Sequence, residues 1–164
     1  MLTSVGDPEI VQLLLSAGAG VDVRDNYGDT ALLCAVHRGG LPVIKLLIDA
    51  GADVDSLNSH NGYTVLMLAA HKGDMDVVQL LLDSGARDDD PTGEAHTPLY
   101  LAARRGHADL LELFIRRGCP INNSKSVLVE LFFLVFFVLG PVHLLTASKP
   151  GVSNLSGYSS SEAL

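Results

Sequence analysis

The apolar positions of this chain fall into two short helical patterns that alternate. In "LPVIKLLIDAGADVD" (41–55), Val43, Leu46 and Leu47 lie on one face at helical spacing. The same face returns as Val77, Leu80 and Leu81, and again as Leu110, Leu113 and Phe114. Ahead of each such stretch stands another: "GDTALLCAVHRG" (28–39), "GYTVLMLAAHKG" (62–73) and "AHTPLYLAARRG" (95–106). In the middle copy Leu66, Ala69 and Ala70 recur at helical spacing, and the small alanines let a neighbouring helix come close. Thr30, Thr64 and Thr97 precede these runs, where a hydroxyl satisfies an orphan amide of the first turn. Gly39, Gly73 and Gly106 stop them, and Gly51, Gly85 and Gly118 stop the partner helices. Pro42 suits the first turn of its helix, where a missing N–H is no loss.

Two independent sets of markers keep one period. Thr30, Thr64 and Thr97 are 34 and 33 residues apart, and Gly18, Gly51, Gly85 and Gly118 are 33, 34 and 33 apart. An earlier copy of the second pattern, "PEIVQLLLSAGAGVD" (8–22), has no first pattern in front of it. Each unit reads helix, turn, helix and then a polar Asp/Asn/Gly-rich link, clearest at "DNYG" (25–28). A helix pair this short cannot bury its own apolar face, so the units must stack.

The pattern resembles the ankyrin repeat family over residues 6–123, as three full units and a leading half. The family's G-x-T-P-L-H-x-A-A stretch is matched best at "HTPLYLAARRG", and its G-A-D-V-[DN] close is literal at 51–55. Ala31 and Val65 replace the motif proline, which only Pro98 keeps. Leu33, Met67 and Tyr100 stand at the motif histidine, so the loop hydrogen bonds of that residue are expected to be missing. Ala95 stands where Gly28 and Gly62 make the hairpin turn, and the loop before Thr64 is one residue longer than the others. The resemblance implies an all-α solenoid over residues 1–123, in units of about 1–24, 25–58, 59–91 and 92–123, with hairpin-like loops projecting from one edge.

Both ends depart from this scheme. Without a front helix in the first unit, the Ile10/Leu13/Leu14 face is expected to lie open at the end of the stack, as in a chain that starts within a longer array. After Asn123 comes "SVLVELFFLVFFVLGPVHLL" (126–145), a hydrophobic segment (124–146) expected to form a C-terminal helix. A polar tail (147–164) follows, read as disordered. Residues 127–145 match the length of a single membrane span, with Arg116, Arg117 and Lys125 keeping the repeats on the cytosolic side. An exchanged tail in place of the next repeat is an equal reading, whereas a lid over the last repeat would be amphipathic and "LFFLVFFVL" is not.

Composition narrows the chemistry. With 19 acidic residues against 11 basic ones the formal net charge is −8, which speaks against nonspecific nucleic-acid binding. Two cysteines without metal spacing suit a reducing compartment, cytoplasmic or nuclear. Cys34 is expected to be a buried core thiol, while Cys119, after Arg116 and Arg117, is the better candidate for reactivity. The six histidines are scattered, and no nucleophile elbow or phosphate-cradling loop occurs, so no enzyme, cofactor or metal is expected. The loop from Asp88 begins like a calcium loop but has Leu99 where a bidentate Glu is required.

What remains is a surface for another protein. Carried over from the resembled family, the concave-face positions give a basic ladder: His37 with Arg38, His71 with Lys72, and Arg104 with Arg105. Opposite it stand loop acids, with Asp29 and Glu94 as contact candidates and Asp25, Asp53, Asp55 and Asp88 to Asp90 behind them. Tyr27, Leu57, His60, Tyr63 and His96 complete the expected contact set. The expectation is a non-catalytic scaffold or adaptor whose concave groove binds a protein partner, the alternative being a membrane-anchored form of it.

Overall fold

The periodic stretches fold as helices of nearly uniform length. The computed structural model describes residues 7–89 and 96–119. Over these residues run α1 (Pro8–Ser16), α2 (Ala31–Arg38), α3 (Leu41–Asp49), α4 (Val65–Lys72), α5 (Met75–Asp83), α6 (Pro98–Arg105) and α7 (Ala108–Arg116). Among the described residues there is no β-strand, only an isolated antiparallel bridge between Leu57 and Thr64. Helices α2, α4 and α6 pack on one another as an inner row, α1, α3 and α5 as an outer row, and α7 packs on α6. This is an all-α stack of helix pairs.

Each inner helix starts as expected. Thr30, Thr64 and Thr97 have extended backbones, and their hydroxyls accept from Leu33, Met67 and Tyr100 N at 3.3, 3.1 and 3.1 Å. All three threonines are buried, so these hydroxyls replace water that cannot reach the amides. At the motif histidine position Met67 offers a substitute, its Sδ accepting from Thr64 N at 3.4 Å. The helices end at Gly39, Gly73 and Gly106 with φ of 82°, 81° and 77°, a left-handed geometry that suits a residue without Cβ.

The core repeats with the sequence. Leu32, Leu66 and Leu99 are buried at one register of the inner helices, and Ala35, Ala69 and Ala102 at the next. On the outer row the buried sets are Val43, Ile44 and Leu47, then Val77, Val78 and Leu81, then Leu110, Leu111 and Phe114. Leu46, Leu80 and Leu113 are only half-buried, so one member of each expected set is replaced by Ile44, Val78 or Leu111 while the other two are buried as expected. The reason is that α3 is covered from two directions, by α2 and by the outer helices on either side, so its dry arc turns toward both.

The first helix shows what a missing partner does. Val11 is fully buried, like Ile44 and Val78 at the same register. Ile10 and Leu14, however, are each 39% exposed, where Val43 and Leu47 are 4% and 0%. The open Ile10/Leu13/Leu14 face is therefore present. The hydrophobic segment 124–146 and the tail 147–164, with the C-terminal helix and span expected there, lie outside the described residues. Among the described residues no helix is long and apolar enough to cross a membrane.

Polar ties cross every unit boundary. Asp22 accepts from Asp53 N at 3.0 Å and Asp55 from Arg87 N at 2.9 Å, so part of the acidic loop charge fastens loop to loop. Arg24 Nη1 donates across the first boundary to Gly28 O and Leu57 O, and within the second unit Thr30 shares a hydrogen with Ser56 across 3.2 Å. On the outer side Arg117 pairs with Asp83 at 2.6 Å. Replacing Thr64 by Ala should lower unfolding free energy by about 1–2 kcal/mol, while Thr64→Ser retains most of it. Urea denaturation of the two variants beside the parent checks this.

Candidate functional site

Two loop tips and two helix ends build a groove. The tip at 25–29 closes through Asp25 N donating to Asp29 O at 2.9 Å, and Asp25 Oδ1 accepts from Tyr27 N and Asp29 N. The longer tip closes through Asn58 N donating to Tyr63 O at 2.9 Å, with Asn58 Oδ1 accepting from Asn61 N and Tyr63 N. The extra residue is thus taken up inside one hairpin without altering the register beyond it. Gly28 suits its φ of 80° by lacking a Cβ, and a Cβ there would also crowd the Ser59 side chain, at 2.0 Å from its Oγ.

Between these tips and the ends of α2 and α4 lies a cavity of about 820 Å³. Asp25, Tyr27, Asp29, His60 and Tyr63 line it from the loops, and His37, Arg38, His71 and Lys72 from the helix ends. Leu33, Cys34 and Leu68 give it an apolar floor. The structure therefore brings eight of the thirteen expected contact residues, plus Asp25, to one groove. Leu57 is elsewhere, in a cleft of about 70 Å³ with Asp55, Arg87 and Asp89. Arg104 and Arg105 do not line the groove but stand at the end of α6 beyond His71. His96 continues an aromatic row away from the groove, with ring centroids 6.0 Å from Tyr63 and 5.8 Å from Tyr100. Glu94 lies outside the described residues.

The ladder is not three equal cationic rungs. Lys72 Nζ donates at 2.8 Å to both Val36 O and His37 O, closing the carbonyl end of α2 with its charge. His107 Nε2 does the equivalent for α4, donating to His71 O at 3.2 Å. Its ring occupies the space over Gly73 that a Cβ would need. His71 is held below the ordinary histidine pKa, first by burial and then by Arg105, Arg104 and His107, which favours the neutral imidazole beside the charged Lys72.

The two thiols exchange the roles expected of them. Cys34 is half-buried on the groove floor, its Sγ 4.0 Å from Asp25 Oδ2. Cys119 is buried, and desolvation together with the Asp88 carboxylate pushes its thiol up to about 12. The sequence misses Cys34, Leu33 and Leu68 as groove residues because their positions in α2 and α4 carry the same apolar signal as core. Cys34 and Leu68 are half-buried there, whereas Leu33 is as buried as the core it adjoins.

Replacing Lys72 by Met should destabilise the chain by about 1 kcal/mol, although the side chain is exposed, because two carbonyls lose a charged donor. Thermal unfolding of Lys72→Met beside the exposed control Lys45→Met measures it. Maleimide at pH 8 should modify Cys34 well before Cys119 in the folded chain, and both equally in denaturant; mass mapping after short pulses distinguishes them.

Comparison with known proteins agrees with this architecture. A family model of ankyrin repeats matches residues 1–92 as three copies, and a single-repeat model matches residues 95–126. A putative ankyrin repeat protein of Acanthamoeba polyphaga mimivirus is 39% identical over 59 residues, which is 36% of this chain and 36% of that protein. A potassium channel of Arabidopsis thaliana is 40% identical over 55 residues, 34% of this chain but 7% of the channel. Human ankyrin repeat domain-containing protein 63 is 37% identical over 65 residues, 36% of this chain and 17% of that protein. The chain thus spans little more than a third of the first of these relatives and much less of the others. Inner helices capped by threonine and stopped by glycine agree with the matching family models: the chain belongs to the ankyrin repeat family.

Proposed function

We propose that this chain is a non-catalytic scaffold that binds a segment of another protein in the groove between its loop tips and inner helix ends. Ankyrin repeats are in general protein–protein interaction modules, and the groove is where this copy has unassigned contact surface. The observation that carries the reading is the composition of the groove wall. Tyr27 is 70% exposed at its rim, on a tip already fixed by Asp25, while Leu33 and Leu68 lie on the floor and acids face bases across it. A rigid aromatic beside an apolar floor is how interfaces concentrate binding energy, and opposed charges set the orientation of what enters. Because the tips are hydrogen-bonded before any partner arrives, little ordering entropy is lost on binding. Two unpaired thiols fit a reducing cytoplasmic or nuclear setting for such an adaptor.

Tyr27→Ala should leave stability within about 0.5 kcal/mol, since the ring is exposed. It should also weaken a partner selected on the intact chain by roughly tenfold or more. Lys45→Glu on the outer helix α3 should change binding little. Calorimetric titration of both variants decides the matter: a partner indifferent to Tyr27 but sensitive to Lys45 would move the binding surface to the outer row.

A further inference from the structure

The most informative contact at the groove comes from a residue that does not line it. Arg105, at the end of α6, donates through Nη2 to Nε2 of His71 across the unit boundary. A guanidinium has donors only, so the imidazole nitrogen it meets must be the acceptor. In a neutral ring the proton then sits on Nδ1, and that N–H is a donor. The His71 ring lines the groove, and no described residue accepts a hydrogen bond from its Nδ1. Tyr63 fixes the ring from a second side, with centroids 6.3 Å apart and planes tilted by 56°.

We propose that Arg105 is a positioning residue for the groove, holding His71 as a neutral Nδ1–H donor that receives a main-chain carbonyl of an extended partner segment. The inference rests on the groove reading above and names the chemistry of one contact within it. A carbonyl fits this point better than a carboxylate. The nearby charge of Lys72 is already committed to Val36 O and His37 O, while Asp25 and Asp29 on the opposite wall repel an anion.

The state is pH-sensitive in a definite direction. His71 is faced by Arg104 and Arg105 from α6, His107 from the link beyond, Tyr63 from its own loop, and Lys72 beside it. His37, Arg38 and His60 share the groove with it. Protonation puts a second hydrogen on Nε2, against the guanidinium, and breaks the pair. Burial and the cations lower the folded pKa. Between the unfolded value, about 6.5, and the lower folded one, the unfolded chain therefore binds more protons. Stability falls as pH drops through that window.

The test uses the full chain labelled with ¹⁵N, in the parent and in Arg105→Met and Arg105→Lys. Long-range proton–nitrogen spectra should show His71 as the Nδ1–H tautomer with a depressed titration midpoint in the parent. Arg105→Met should mix the tautomers and raise the midpoint, and Arg105→Lys should restore most of both. A peptide selected from a randomised display library at neutral pH should bind about fivefold more weakly to His71→Phe, the worth of one hydrogen bond. His71→Gln, which keeps a neutral donor, should lose less. An Nε2–H tautomer, or a midpoint unmoved by Arg105→Met, overturns the inference even when peptides still occupy the groove. Peptides that shift only outer-helix resonances overturn the groove reading instead, whatever tautomer His71 adopts.

Discussion

Everything in this molecule depends on helices of eight or nine residues being too short to stand alone. Isolated helices of that length are marginal in water, and a single pair has no second layer to cover its apolar side. Cover must come from the next pair. Val43 and Leu47 are dry because α2 and its neighbours cover them, and Ile10 and Leu14 at the same register of α1 are wet where no described inner helix stands in front. The same side-chain types at the same register thus differ in burial only through the presence of a neighbour.

Stacking also fixes where polar groups go. Buried threonine hydroxyls, the Asp22 and Asp55 carboxylates, Lys72 and His107 all satisfy backbone groups that close packing cuts off from water. Residues that look like free surface charge are therefore partly structural. The groove keeps what this accounting leaves over: an exposed tyrosine, a half-buried thiol, a neutral imidazole and the apolar floor between two units. Its character comes from adjacent units jointly, since the Asp25 tip belongs to one and the His71 ring to the next, with Arg105 supplied by a third.

Most of the fold was legible in the chain because period, cap and stop signals agree. Thr30, Thr64 and Thr97 with Gly39, Gly73 and Gly106 mark the same helices in the sequence and in space. Two of the three outer-stripe positions are buried as read, and the third falls at Ile44, Val78 and Leu111 in place of Leu46, Leu80 and Leu113, because helical spacing gives a face but not how widely neighbours wrap it. At the site, His37, Arg38, His71 and Lys72, read as concave positions, line one groove. Their chemistry was not legible. Whether Lys72 is free or bound to Val36 O, and whether His71 is charged, depends on residues 33 to 36 positions away that no local pattern connects. Cys34 and Cys119 look alike as thiols in apolar stretches, and only the packed structure separates a groove floor from a sealed interior.

The closure of helix ends runs in one direction. Lys72 seals the carbonyls of α2, and His107 seals α4, so at the inner helix ends a unit completes the one before it, while Asp22, Arg24 and Asp55 tie the loops forward to the next. Peeling away the last pair strips a donor from its predecessor, whereas peeling away the first strips no inner helix of its cap. Loss of a unit on the carboxyl side thus exposes helix carbonyls, and loss on the amino side frees loop groups such as Asp53 N and Leu57 O.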